Sequence, residues 1–156
     1  MLSPYPVIVD VVVRWADMDA LGHVNSTAYF EYFETVRITY LERIGVPPPR
    51  LDVWDYGFIL AANSCRYLAP VTYPDILSVG ARASALGDDR FLMECEARSE
   101  ELGKTVADGD TLVVSYDYVA GRRVPLRADY RSAILALEGR ALPPVPRRGG
   151  RVWSTE

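Results

Sequence analysis

A chain of 156 residues with 49% hydrophobic and 24% charged residues has the size and composition of one globular domain, which excludes a disordered or fibrous chain and leaves no room for two full domains. No apolar run approaches the roughly 18–20 residues of a membrane span, and the opening Met1-Leu2-Ser3-Pro4-Tyr5-Pro6 has neither region of a signal peptide, so the expected compartment is the cytoplasm. The net charge of −4 divides into −7 on residues 1–138 and +3 on residues 139–156, and an acidic body is a poor nucleic-acid surface.

Residues 7–15 are a β-branched run interrupted by Asp10, the composition of a strand. The polar stretch 16–25 follows. Over residues 26–44 the pattern turns helical, with Tyr29, Phe33, Val36, Tyr40 and Ile44 spaced by three and four, and Phe30 and Leu41 beside them. Asn25 or Ser26 can cap this helix, and Gly45 with Pro47-Pro48-Pro49 ends it.

Strands are expected at 58–68, 76–86, 90–99 and 104–119. They are separated by Pro70 and Pro74, by Gly87-Asp88-Asp89, and by Glu100-Glu101-Leu102-Gly103, and links so short are expected to join antiparallel neighbours. Gly109, inside the longest strand, reads as a bulge or bend. A shorter helix over 127–138 closes at Gly139. The domain is expected at 1–138, followed by a mobile Pro/Gly/Arg-rich tail at 139–156. The fold class is therefore α+β, a curved antiparallel sheet with one long helix. One helix leaves much of such a sheet open, so the second helix or another subunit must cover it.

The only histidine is His23, and this excludes a two-histidine metal site within one chain. Neither Cys65 nor Cys95 stands at a zinc spacing, and both are expected as buried free thiols. The Gly-x-Ser-x-Gly elbow, the P-loop and the Gly-x-Gly-x-x-Gly fingerprint are absent. Asp17-x-Asp19 with Gly22 is no calcium loop, because Leu21 and Ala28 stand where oxygen ligands belong. What remains is a segment with Asp17, Asp19, His23 and Asn25 just before a helix N-terminus, where free N–H groups and the helix dipole favour negative charge. A carboxylate beside oxyanion donors can attack an acyl carbonyl. By spacing alone the same residues serve as turn, capping and structural groups, and the aromatic stripe as core.

The stretch Arg14-x-x-Asp17-x-Asp19-x-x-Gly22-His23-Val24-Asn25, with Tyr29 and Tyr32-x-Glu34-x-x-Arg37 in the helix, resembles the hotdog-fold acyl-CoA thioesterases of the 4-hydroxybenzoyl-CoA thioesterase type. Tyr67-Leu68-Ala69-Pro70, Tyr73-Pro74-Asp75 and Asp117-Tyr118 extend the likeness over residues 7–138. The resemblance implies a hotdog fold, an antiparallel sheet wrapped around one long helix, assembled as a homodimer or homotetramer with active sites at the subunit boundary. It implies hydrolysis of an acyl-CoA or acyl-carrier-protein thioester, with CoA as part of the substrate, no cofactor and no metal. The catalytic carboxylate falls on Asp19 and the carbonyl-polarising backbone N–H near Ser26. Asp17 supports them, while His23 and Asn25 shape the loop or orient water. Tyr29 lies against the substrate, and Arg90, Arg122 or Arg123 hold the CoA nucleotide. The alternatives are a hotdog hydratase or dehydratase using His23 with an Asp, and a non-catalytic acyl-CoA-binding protein.

Overall fold

The computed structural model describes residues 5–47 and 55–146. The first strand, β1 (Val7–Val12), turns Val7, Val9 and Val11 to the core and Ile8, Asp10 and Val12 outward. It is shorter than the run of β-branched residues because a 3-10 turn (Trp15–Asp17) follows. Helix α1 (Ala28–Arg43) buries Tyr29, Tyr32, Phe33, Val36, Tyr40 and Leu41, each worth about 1.5–3 kcal/mol of apolar transfer. The N-cap is Thr27 rather than Asn25 or Ser26. The side chain of Asn25 instead accepts hydrogen bonds from the Thr27 N–H and hydroxyl, at 2.9 and 2.8 Å. At the other end Gly45 takes φ +92, and the Val46 N–H reaches back to the Leu41 carbonyl at 3.0 Å, the glycine-terminated closure expected there.

The remaining strands are β2 (Tyr56–Asn63), β3 (Arg66–Tyr67), β4 (Ile76–Leu86), β5 (Arg90–Ser99), β6 (Lys104–Asp117) and β7 (Arg122–Arg123), followed by helix α2 (Ala128–Glu138). All pair antiparallel in one sheet ordered β1-β4-β5-β6-β2, with β3 and β7 also on β6. The short 68–75 link therefore does not join neighbours. It leaves β3 at one side of the sheet and enters β4 beyond the two strands β6 and β5, with the Val71 carbonyl accepting from the Val24 N–H at 2.8 Å on the way.

The expected strand over 58–68 is also broken in two. Asn63 pairs with Thr111 and Arg66 with Asp108, and between them Ser64 crosses over Gly109. Gly109 itself stays in register with Cys95, so it is no bulge. It is required because a Cβ there would lie 2.0 Å from the Ser64 carbonyl oxygen and 3.1 Å from the Phe33 ring. The register shifts fall instead at Leu60/Ala62, Ala83/Ala85 and Ala97/Arg98, and they curl the sheet around α1.

Helix α2 closes one end of the sheet. Tyr130 stacks on Tyr56 at 5.7 Å, Arg127 lies over the Tyr130 ring at 4.7 Å, and Glu138 Oε1 accepts from the Tyr40 hydroxyl and the Ala83 N–H. The first part of the expected tail is docked rather than mobile: Leu142 packs against the core, and the Pro143 carbonyl accepts from the Leu86 N–H at 2.8 Å. Residues 147–156 lie outside the described residues. Cys95 is buried and Cys65 half-buried, both as free thiols. Burial pushes them up to about 12 and about 11.

Candidate active site

The loop between the 3-10 turn and α1 carries the reactive side chains, and its shape follows from short-range bonding. The Asn25 N–H donates to the Asp17 carbonyl at 2.8 Å, the Asp19 N–H to the His23 carbonyl and the Gly22 N–H to the Asp19 carbonyl, both at 3.0 Å. Met18 and Val24 form an isolated bridge across the loop. Gly22 turns it at φ +80, a conformation that L side chains resist.

The two aspartates have different surroundings. Asp17 is 5% exposed and saturated with donors: the Arg14 N–H at 2.8 Å, the Arg14 guanidinium at 2.9 and 2.6 Å, and the Tyr32 hydroxyl at 2.7 Å. Burial by itself raises the pKa of this carboxyl, but the Arg14 and Tyr32 hydrogen bonds outweigh burial and leave it below the usual carboxylate range. Burial and the Asp17 contact push the Tyr32 hydroxyl far above its ordinary value, so it stays a donor. Asp17 thus ties the loop to the first turns of α1 and has no free lone pair in a convenient direction for substrate. Asp19 is half-buried. Its Oδ1 accepts the Leu21 N–H at 2.9 Å, and its Oδ2 has no partner among the described residues.

At the start of α1 nearly every backbone group is occupied. The Asn25 N–H and carbonyl are bonded to Asp17 and Ala28, the Thr27 N–H to the Asn25 side chain, and the Thr27 carbonyl to the Phe30 N–H. The Ser26 carbonyl accepts from the Tyr67 hydroxyl at 2.9 Å. Among the described residues the Ser26 N–H alone in this tripeptide has no acceptor.

The other expected residues are scattered. His23 is exposed on the loop. Tyr29 is 2% exposed and meets Tyr32 and Tyr67 edge to face. Arg90 is engaged by its neighbour Asp89 through two contacts of 2.6 and 3.0 Å, and the Arg90 hydrogen bonds hold the Asp89 carboxyl below its ordinary range. Arg122 and Arg123 stand exposed on β7.

Sequence reasoning assigns no role to the Tyr32 or Tyr67 hydroxyls. Both are separated from their partners by long stretches of chain, 15 and 41 residues, so the motifs that contain Tyr32 and Tyr67 do not show what their hydroxyls bind. Among the described residues no three His, Cys, Asp or Glu side chains stand together as metal ligands, and no helix is long and apolar enough to cross a membrane.

A single antiparallel sheet curled around one long helix, with a carboxylate loop at that helix's start, is the hotdog architecture of thioester hydrolases. The family model of the thioesterase-like superfamily matches residues 13–134, and the chain belongs to that superfamily. Among solved structures, a thioesterase from Thermus thermophilus complexed with coenzyme A and zinc is 36% identical with a TM-score of 0.79, the alignment covering 90% of this chain and all of that one. The PA5185 protein of Pseudomonas aeruginosa PAO1 is 30% identical with a TM-score of 0.75, over 85% of this chain and 92% of that one. The uncharacterized protein YsmA of Bacillus subtilis strain 168 is 25% identical over 125 residues, 80% of this chain and 82% of its own.

Proposed function

We propose that the chain hydrolyses acyl-CoA thioesters, fatty or aromatic, at the 17–26 loop, with Asp19 as the attacking carboxylate or the base for water. The observation that carries this reading is that one carboxylate oxygen and one backbone donor of the same loop, Asp19 Oδ2 and the Ser26 N–H, have no partner among the described residues, just before a buried helix. Asp19 Oδ2 adds to the thioester carbonyl to give a mixed anhydride that water opens, or it takes a proton from the water that adds. In both routes the carbonyl oxygen gains negative charge opposite the Ser26 N–H, and the CoA thiolate leaves and is protonated. A single such donor is worth about 3–4 kcal/mol in other enzymes.

The relative solved with coenzyme A supports CoA as the carrier. The exposed Arg122 and Arg123 on β7 supply cations for its phosphates, while Arg90 is held back by Asp89. Tyr29 is too buried to touch substrate and packs behind the reaction centre against Tyr32 and Tyr67, with His23 and Asn25 shaping the loop. The outer edge of β2 has no strand beside it among the described residues, and Leu60 there is 42% exposed. An unpaired apolar edge supports closure by a second copy, giving a cytoplasmic homodimer or homotetramer.

The experiment is a thiol-release panel with acyl-CoAs from C2 to C16 and aromatic acyl-CoAs, run on the wild-type chain and Asp19→Asn. Asparagine keeps the Oδ1 acceptor for the Leu21 N–H, so the loop stands, while kcat is expected to fall about 10²–10⁴-fold. Near-normal turnover by that variant would sink the assignment. Hydration of crotonyl-CoA without thiol release would instead favour the hydratase reading, and tight binding without turnover a non-catalytic one.

A further inference from the structure

Tyr67 is 48% exposed, sits on the two-residue strand β3, and donates its hydroxyl to the carbonyl of Ser26 at 2.9 Å. This is a long-range bond between a sheet edge and the residue just outside α1. Among the described residues no backbone N–H bonds to the Ser26 carbonyl, and Phe30, its donor in a regular helix, bonds to Thr27 instead. Without the phenol, that carbonyl has only solvent.

The strand that presents Tyr67 is anchored. Arg66 forms two 2.7 Å bonds to Asp108, the Leu68 N–H bonds to the Val106 carbonyl at 2.8 Å, and β3 continues along β6 in the register set by the end of β2. The ring of Tyr67 meets Tyr29 edge to face at 5.3 Å, and Tyr29 meets Tyr32 likewise at 5.7 Å. Tyr32 in turn holds Asp17. Three tyrosines from two elements therefore span the two halves of the site, the carboxylate loop and the helix start.

We infer that Tyr67 is a positioning residue for thioester hydrolysis: its hydroxyl holds the Ser26–Thr27 peptide, and with the Asn25–Ser26 peptide tied through the Asn25 carbonyl to the Ala28 N–H, Ser26 is held on both sides so that its N–H faces the developing oxyanion. This rests on the proposed roles of Asp19 and Ser26. Ser26 precedes α1: the Asn25–Ala28 bond tethers the peptide that carries its N–H, and the Tyr67 bond tethers the peptide on its other side. Losing one weakens a donor whose worth depends on being held in place before the reaction.

The test is Tyr67→Phe, which keeps the ring and its contact with Tyr29, assayed on the acyl-CoA that the wild-type chain turns over fastest. The expected result is a kcat lowered about 10-fold, KM within about two-fold, an unchanged pH profile for kcat and an unchanged melting temperature. Tyr67→Leu, which also removes the ring, should lose at least as much in kcat. A KM effect with kcat preserved, or no effect at all, overturns the inference. If Asp19→Asn retains activity while Tyr67→Phe lowers kcat as described, the base assignment fails and the positioning role stands.

Discussion

Gly109→Ala is the substitution with the sharpest structural consequence. The new Cβ would stand 2.0 Å from the Ser64 carbonyl oxygen and 3.0 Å from its carbonyl carbon, against an ordinary contact of 3.4 Å or more. The Ser64 crossover must therefore retreat by 1.0 Å to reach 3.0 Å, the shortest contact a Cβ tolerates, and by 1.4 Å to reach an ordinary one. It is held there by the Ser64 N–H to the Asp110 carbonyl at 2.8 Å and the Asp110 N–H to the Ser64 hydroxyl at 3.0 Å. Losing both costs about 1 kcal/mol each, and the overpacking against backbone and the Phe33 ring costs a further ~1–3 kcal/mol.

The expected loss is thus about 3–5 kcal/mol, a large share of the ~5–15 kcal/mol that stabilises a typical domain. In urea the midpoint should fall with the m-value unchanged, and the melting temperature should drop by about 10 °C. The retreat also carries Arg66 and Tyr67 away from Ser26, so the protein that remains folded should turn over more slowly. A Gly109→Ala variant within about 1 kcal/mol of wild type would refute the close approach and the account of the broken strand.

Asp17→Asn should destabilise the fold by about 2 kcal/mol at neutral pH, since it breaks a buried carboxylate's bonds to Arg14 and Tyr32. The folded pKa of Asp17 is depressed, so its contribution is present above the unfolded pKa near ~4 and is lost as pH falls through the folded value. The gap between wild type and variant, followed by thermal melts, should close below about pH 4. Asp110 has the opposite sign. Burial first, then Glu94 and Asp108, raise its pKa, and Glu94 faces it directly across the strand pair. Stability is therefore lost as pH rises through this range, and Asp110→Asn should stabilise the protein by about 0.5 kcal/mol at pH 7, with no gain in acid. A destabilised Asp110→Asn at pH 7 would contradict that reading.

Much of the fold is legible because its signals are local. The three-and-four spacing of Tyr29, Phe33, Val36, Tyr40 and Ile44 marks a helix that must be covered, and all five are buried. The alternation in 90–99 marks a strand with one face inward, and the burial pattern of β5 follows it residue by residue. The density of polar groups in 17–25 picks out the loop, because Asp, Gly and Asn are the residues that form tight turns as well as those that do chemistry.

The order of residues along the chain is thus enough to settle the kind and succession of the elements and the segment that holds the site. These depend on the period of apolar residues and on turn chemistry within a few neighbours. Packing in three dimensions was needed to show that β2 and β3 lie beside β6 and not β4, that Ser64 crosses Gly109, and that Asp17 is saturated while Asp19 keeps an oxygen with no partner among the described residues. It alone brings the Tyr67 hydroxyl to Ser26, across 41 residues. Such pairings arise when a whole curled sheet buries its inner face against α1, and no spacing within one segment encodes where a distant strand will come to rest.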